Sequence, residues 1–311
     1  MPHGSTAGVG GVRGRQGDGV MRSAHDQRRD SERHTTRVRT ASRPRPRPSR
    51  AGSLAFALPH TRAAWREVAL ALVVTCAYFL TRGLIRGRTS DALAHARDIL
   101  DIERTLHLDP EAALQHLALL HPLLLQAANI FYLAGHLPVL ITVAIWLYRA
   151  HQPAYRIFRN AFGLTALLGL TIYVALPVAP PRFLPGFVDT LKTTGLGLDG
   201  SAVGLLYNPY AAMPSLHVGW ALLAGLSLVI CGRSWWLRLA GAALPLLMAL
   251  TVLVTGNHFL LDIAAGTGIA LLSLTCSWWL AAARGRARNR PDTQEVPHAH
   301  WTEPPTPATI R

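Results

Sequence analysis

The sequence predicts an all-α membrane protein, a polytopic helix bundle of about six transmembrane helices with one interfacial amphipathic helix. Three observations predict it. Half of the 311 residues are hydrophobic, and they fall into runs of roughly 20 with few charges, the length a helix needs to cross a bilayer. The net charge is +14, yet 12 arginines crowd into residues 1–58 against four acids, and Lys192 is the one lysine among the 31 basic residues. The charge is therefore largely a property of a tail. Cys76, Cys231 and Cys276 lie inside apolar runs without CxxC spacing, which indicates neither a zinc site nor a disulfide framework and leaves them as small packing residues.

Residues 1–58 are rich in Arg, Gly, Ser and Pro, a composition that cannot bury a core, and are expected to be a disordered basic tail. No cleavable signal peptide is expected, because no apolar stretch follows the early arginines until residue 68. The tail suits anionic lipid. Nucleic acid is not an expected partner, since no fold or aromatic platform accompanies the charge.

A membrane domain is expected over 59–283. Its first span covers about 65–84. Over 90–110, acids and arginines alternate with Ala92, Leu93, Ala96, Ile99, Leu100 and Ile102 at helical spacing, the pattern of an amphipathic helix at the interface. The second span runs from His121-Pro122 to about residue 148 and is long enough to tilt. A third, over 160–176, must stop at Pro177-Val178-Ala179-Pro180-Pro181-Arg182, where the prolines forbid helix continuation. A glycine-containing loop over 183–213 leads to spans over 214–230, 235–254 and 258–281. Residues 284–311 are expected to form a second disordered tail. Trp220, Trp235, Trp236, Trp278 and Trp279 are expected as interfacial belt residues.

Six spans put both tails on one side. Arg149, Arg156, Arg159, Arg233 and Arg238 in short connections share it, which makes it cytoplasmic by the positive-inside rule. Arg82, Arg86 and Arg88 fall on the other side, in a connection that also holds six acids between residues 91 and 111. A multi-pass protein of the plasma membrane is expected, with Arg182, Ser215, His217, His258 and Asp262 all on the extracytoplasmic face.

Ionisable groups at span ends are costly and therefore mark function. His258 and Asp262 are four apart, so on a helix they share one face. The carboxylate can then fix the imidazole tautomer and leave the other ring nitrogen as a nucleophile; alternatively the pair only staples helices together. Pro214 suits a first helical turn, whose free N–H groups form an anion site, with Ser215 adding a hydroxyl and His217 a proton. Capping by Ser215 and an interfacial His217 are the plainer alternative. Arg182, at a proline-locked reversal, suits a bidentate phosphate clamp or a snorkelling interfacial role. Asn129, Tyr132 and His136 share one face of the second span, as a possible substrate pocket or as interhelical hydrogen bonds.

Pro214-Ser215-Leu216-His217 followed by His258-x-x-x-Asp262 resembles the type 2 phosphatidic acid phosphatase superfamily, most closely its inositolphosphotransferase (inositol phosphorylceramide synthase-like) branch. That branch's three signature blocks look like Pro177–Arg182, 208–217 (Asn-Pro-Tyr-Ala-Ala-Met-Pro-Ser-Leu-His) and Thr255-Gly256-Asn257-His258, in that order, within a resemblance covering about residues 96–281. The resemblance implies metal-independent, cofactor-free phosphoryl transfer through a phosphohistidine. His258 would attack phosphorus with Asp262 orienting it, and His217 would protonate the leaving alkoxide and then serve as base. Arg182, Ser215 and the helix start would hold the phosphoryl oxygens.

The sequence departs from the wider superfamily twice. Ala175 stands where that superfamily has a lysine, seven residues before the first-block arginine, and Val252 where it has an arginine, six before the nucleophilic histidine. Fewer cations fit the phosphotransferase branch better than the broad-range phosphatases; Lys192 either compensates in part or is a solvated loop lysine. The expected substrate is a membrane lipid carrying a phosphoryl headgroup of the inositol-phosphate type. A plain lipid phosphate or prenyl diphosphate phosphatase, or a proton-coupled transporter, are the alternatives.

Overall fold

In the computed structural model the described residues are 61–85, 87–197 and 208–288; the expectations for 1–58, 198–207 and 289–311 lie outside them. All regular structure among them is helical, apart from one isolated parallel bridge between Val178 and Ala211. Helix α1 spans Thr61–Ile85, α2 Thr89–Thr105, α3 Glu111–Leu119, α4 Pro122–Ile130 and α5 His136–Ala150. Helix α6 spans Gln152–Ala175, α7 Thr190–Thr193, α8 Leu216–Cys231, α9 Trp235–Val254 and α10 Leu260–Arg288.

Among the described residues, five helices are long and apolar enough to cross a membrane: Trp65–Ile85, Pro122–Ala150, Gln152–Ala175, Trp235–Val254 and Leu260–Ala287. The 16-residue α8 is a shorter apolar helix. Large side chains such as Trp65, Leu123, Ile230 and Leu246 are exposed on the outside of the bundle, as a protein solvated by lipid tails requires. Trp235, Trp236, Trp278 and Trp279 are exposed near span ends, but Trp220 is half-buried inside α8 and stacks on Phe162 with ring centroids 4.5 Å apart. Trp220 is thus a packing residue and not part of a belt.

Pro122 opens α4, where its missing N–H costs nothing. The span then passes through a π-helical turn, Phe131–Gly135. Pro138 explains the widening, since it cannot donate to the carbonyl of Ala134 and its ring crowds that carbonyl. The turn leaves Tyr132 and His136 both buried. α6 begins eight residues earlier than the hydrophobic pattern suggests, because Pro153 sits in its first turn, and it ends before Pro177 as expected. α10 continues through three alanines to Arg288, past the boundary expected at 283; alanine and arginine are strong helix formers, and Arg284 and Arg286 are exposed.

The central packing unit is α8. Its Val218, Ala221, Leu223 and Ala224 meet Leu140, Val143 and Leu147 of α5, Phe158 and Ala161 of α6, Leu244, Met248 and Val252 of α9, and Ala270 of α10. A helix apolar all round belongs inside a bundle, and this one is surrounded.

The expected interfacial helix is α2, but it does more than lie on a surface. Ala92, Ala96, Ile99 and Leu100 pack with Val178, Ala179, Ala212 and Phe259 from the connections around the site, while Ile102 is half-exposed and Glu103 is fully buried in its stead. α2 ends at Thr105, where His107 turns left-handed (φ 56°) and Leu108 N donates back to Glu103 O (2.8 Å), and a separate α3 follows that periodicity over 90–110 does not reveal.

Candidate active site

Three chain segments meet at one end of the bundle, stitched together by main-chain hydrogen bonds. The segment after α6 runs beside the one before α8: Val178 N donates to Tyr210 O (3.1 Å) and Ala212 N to Val178 O (3.1 Å). Arg182 N donates to Gly256 O (2.9 Å), joining the first segment to the turn after α9, and Ser215 N donates to Asp262 O (2.9 Å), joining the second to α10. α2 braces the first segment, with Ala179 N donating to Ala92 O (3.0 Å) and Arg88 to Val174 O (2.7 Å).

The turn Thr255-Gly256-Asn257 is a Schellman motif. Asn257 N donates to Val252 O (2.9 Å) and Gly256 N to Leu253 O (3.0 Å), with Gly256 left-handed at φ +66°, the conformation such a cap demands. A side chain there would also stand 2.5 Å from Gln115 Nε2, so glycine is needed twice over. The motif reverses the chain and delivers His258 ahead of α10, not within its first turn.

His258 is almost fully buried, and its Nδ1 lies 2.8 Å from Ala212 O and 3.4 Å from Asp262 Oδ2. Both neighbours can only accept, so Nδ1 carries the proton and Nε2 presents a lone pair. Asp262 Oδ2 also accepts from Phe259 N at 2.9 Å, the reciprocal half of a capping box at the α10 start. The carboxylate is fixed by its own helix while it orients the ring.

His217, in the first turn of α8, faces this imidazole with ring centroids 6.1 Å apart. The rings of Tyr132 (4.5 Å) and His136 (5.2 Å) also pack, tilted, against His217, so His217 touches both His136 and His258. Neither ring nitrogen of the buried His136 has a hydrogen-bond partner among the described residues. Asn129 takes a different course: its Nδ2 donates to Thr190 O (3.0 Å) and Thr194 Oγ1 (3.1 Å). These bonds tie the second span to the short α7 and its C-terminal end, not to another span.

Ser215 is the N-cap of α8 without a capping hydrogen bond from its side chain, and Pro214 precedes the helix instead of opening it. The buried Ser215 Oγ has no partner among the described residues. Its main chain is pressed against α10: a Cβ on Gly266 would stand 2.2 Å from Ser215 O, a contact only glycine permits. Arg182 is buried, with Nε 3.6 Å from Asp189 Oδ1 and the guanidinium 5.0 Å from the Phe183 ring centroid. Lys192 is exposed and lies 4.0 Å from the other oxygen of the same Asp189. Val252 is buried in the apolar core, so no cation occupies that position.

Two residues that sequence reasoning passed over stand beside the site. Glu103 Oε1 accepts from Leu261 N (2.6 Å) and Glu111 Oε1 from Leu260 N (2.7 Å). The signal was present in the spacing, since Glu103 continues the buried series Ala92, Ala96, Ile99 on α2. A carboxylate on the apolar face of a helix needs a buried partner.

The class this architecture defines is a polytopic membrane protein with a histidine-centred site at one end of its bundle. The chain belongs to the PAP2 superfamily, which matches residues 97–276, more than half of its length. A similar protein is the phosphoinositol dihydroceramide synthase of Bacteroides thetaiotaomicron, 31% identical over 164 residues that cover 47% of this chain and 52% of that one. The chain thus spans about half the length of the curated relative it matches. No solved structure matches. These findings agree with the resemblance drawn from the three motif blocks and support a membrane-embedded enzyme of the phosphatase or phosphotransferase type.

Proposed function

We propose that this protein transfers a phosphoryl-containing headgroup of the inositol-phosphate type to or from a membrane lipid, through a phosphohistidine on His258. The observation that carries the reading is the Ala212 carbonyl at 2.8 Å from His258 Nδ1, which leaves Nε2 as the nucleophile. Nε2 attacks phosphorus, the bond to the leaving oxygen breaks, and His217 supplies the proton that oxygen takes up. An acceptor hydroxyl then gives its proton to His217 and attacks phosphorus as the P–N bond breaks, which restores both rings. Phosphoryl transfer needs positioning and charge compensation above all. Arg182, Ser215 Oγ and the first N–H groups of α8, which have no intrahelical partner, supply the compensation. Tyr132 and His136 line the pocket beside His217. By the positive-inside rule the reaction takes place at the extracytoplasmic face, and it uses no metal.

Trapping tests this directly. Protein in lipid nanodiscs, given a lipid labelled in its phosphoryl group, should carry acid-labile label on His258, also in EDTA; label on another residue, or a strict need for a divalent metal, overturns the mechanism. Headgroup should pass to an added lipid or polyol acceptor. Release of inorganic phosphate with no transfer identifies a plain phosphatase. A cysteine at position 192, with Cys76, Cys231 and Cys276 replaced, should be labelled from outside the cell; labelling from the cytoplasm alone inverts the topology.

A further inference from the structure

The amide groups that open α10 are held by three carboxylates from three places in the chain: Phe259 N by Asp262, Leu260 N by Glu111 and Leu261 N by Glu103. Glu103 and Glu111 are fully buried, take adjacent amides of one helical turn, and have no hydrogen-bond partner for their Oε2 atoms among the described residues. Two adjacent carboxylates sealed from water cannot both be ionised. One proton between them resolves the geometry, because each Oε1 stays on its amide while one Oε2–H donates to the other Oε2.

We propose that Glu103 and Glu111 are positioning residues, a one-proton carboxyl pair that holds the start of α10 and thereby sets His258 for attack. The inference rests on the reading of His258 as nucleophile. His258 lies two residues ahead of Leu260, and its contact with Asp262 depends on where α10 begins. Burial first, then the nearby negative charge of Glu111 and Asp262, pushes the Glu103 carboxyl up to about 8; Glu111 is raised by burial and by Asp109 and Asp262. The titratable groups acting on the pair are thus acidic themselves, Asp109 from the α2–α3 connection and Asp262 from α10. When the shared proton leaves, two adjacent negative charges beside Asp262 repel, and the grip on Leu260 and Leu261 loosens. Turnover then falls with little change in substrate binding.

The test combines pH–rate profiles with infrared spectroscopy of the full chain in nanodiscs. In E103Q the carboxamide still accepts from Leu261 N and permanently donates to Glu111, so the high-pH limb of kcat should move up by about one pH unit or more, with KM within about threefold. Glu103→Ala should lower kcat roughly a hundredfold, and Gln should restore most of it. Wild-type protein should show a protonated-carboxyl C=O band at neutral pH that titrates near pH 8 and is missing from the E103Q/E111Q double variant. An unmoved limb in both E103Q and E111Q, or no such band in the wild type, overturns the proposal. Absence of label from wild-type His258 sinks the nucleophile assignment instead, whatever the infrared spectra show.

Discussion

Two helices begin at the site, and their first turns are built in opposite ways. At α10 the amides of residues 259–261 are each taken by a carboxylate from within the protein, so the positive end of that helix is already neutralised. At α8 the N-cap side chain makes no capping bond and its buried hydroxyl has no partner among the described residues. A helix start of this second kind attracts anions; one of the first kind repels them. In the proposed mechanism the difference separates two tasks, since α10 supplies an oriented imidazole beside fixed negative charge while α8 would supply the place where a phosphoryl group is held. On that proposal, two motifs that look equivalent in sequence serve as a nucleophile mount and an anion seat.

The comparison is broken most completely by removing the imidazoles. His258→Ala should lower turnover roughly 10⁴-fold or more, and His217→Ala about 10²- to 10⁴-fold, with both proteins still inserted and folded by circular dichroism. Next in size is Gly266→Ala, which drives a methyl into the Ser215 carbonyl where the two helix starts touch. Overpacking of this kind costs about 1–3 kcal/mol, and a lower unfolding temperature together with lost activity should reveal it.

Raising the pH should distinguish the helix starts without mutation. The Glu103 and Glu111 carboxyls titrate higher in the fold than in the unfolded chain. Their contribution to stability is complete below the ordinary carboxylate range and is lost as pH rises through their raised values in the fold, about 8 for Glu103. Thermal midpoints should decline across that window in the wild type and decline less in E103Q/E111Q. Ser215→Ala removes one donor from the α8 seat and should cost about tenfold to a hundredfold in kcat/KM, the worth of a hydrogen bond to a charged group. Lys192→Ala, which breaks only an exposed ion pair, should change kcat/KM by less than about fivefold.

Much of this was legible from local rules. Runs of apolar residues located the spans, Pro177 ended α6 where proline must, and His258, Asp262, Ser215 and Arg182 declared themselves as ionisable or polar groups at span ends. What stayed hidden is long-range. Nothing local to Glu111 says that its carboxylate caps a helix 149 residues away, and the acids of residues 91–111 look like solvated charges until two prove buried. Arg88, which offends the positive-inside pattern, is engaged by Asp91 (3.0 Å) and the Val174 carbonyl. The orientation of the Schellman turn also escaped, because helical periodicity places His258 on a helix face where the chain in fact reverses.

The parallel bridge and the bonds Arg182 N to Gly256 O and Ser215 N to Asp262 O carry a dynamic consequence. No one of the three segments can open without breaking main-chain bonds to another, so they form a single cooperative unit of local unfolding. The amides of Val178, Arg182, Ala212 and Ser215 should then exchange with solvent at closely matched free energies of opening, although 37 residues of chain separate the first from the last. Arginine, serine and histidine would be lost to the site together or kept together, as one switch with no half-assembled state.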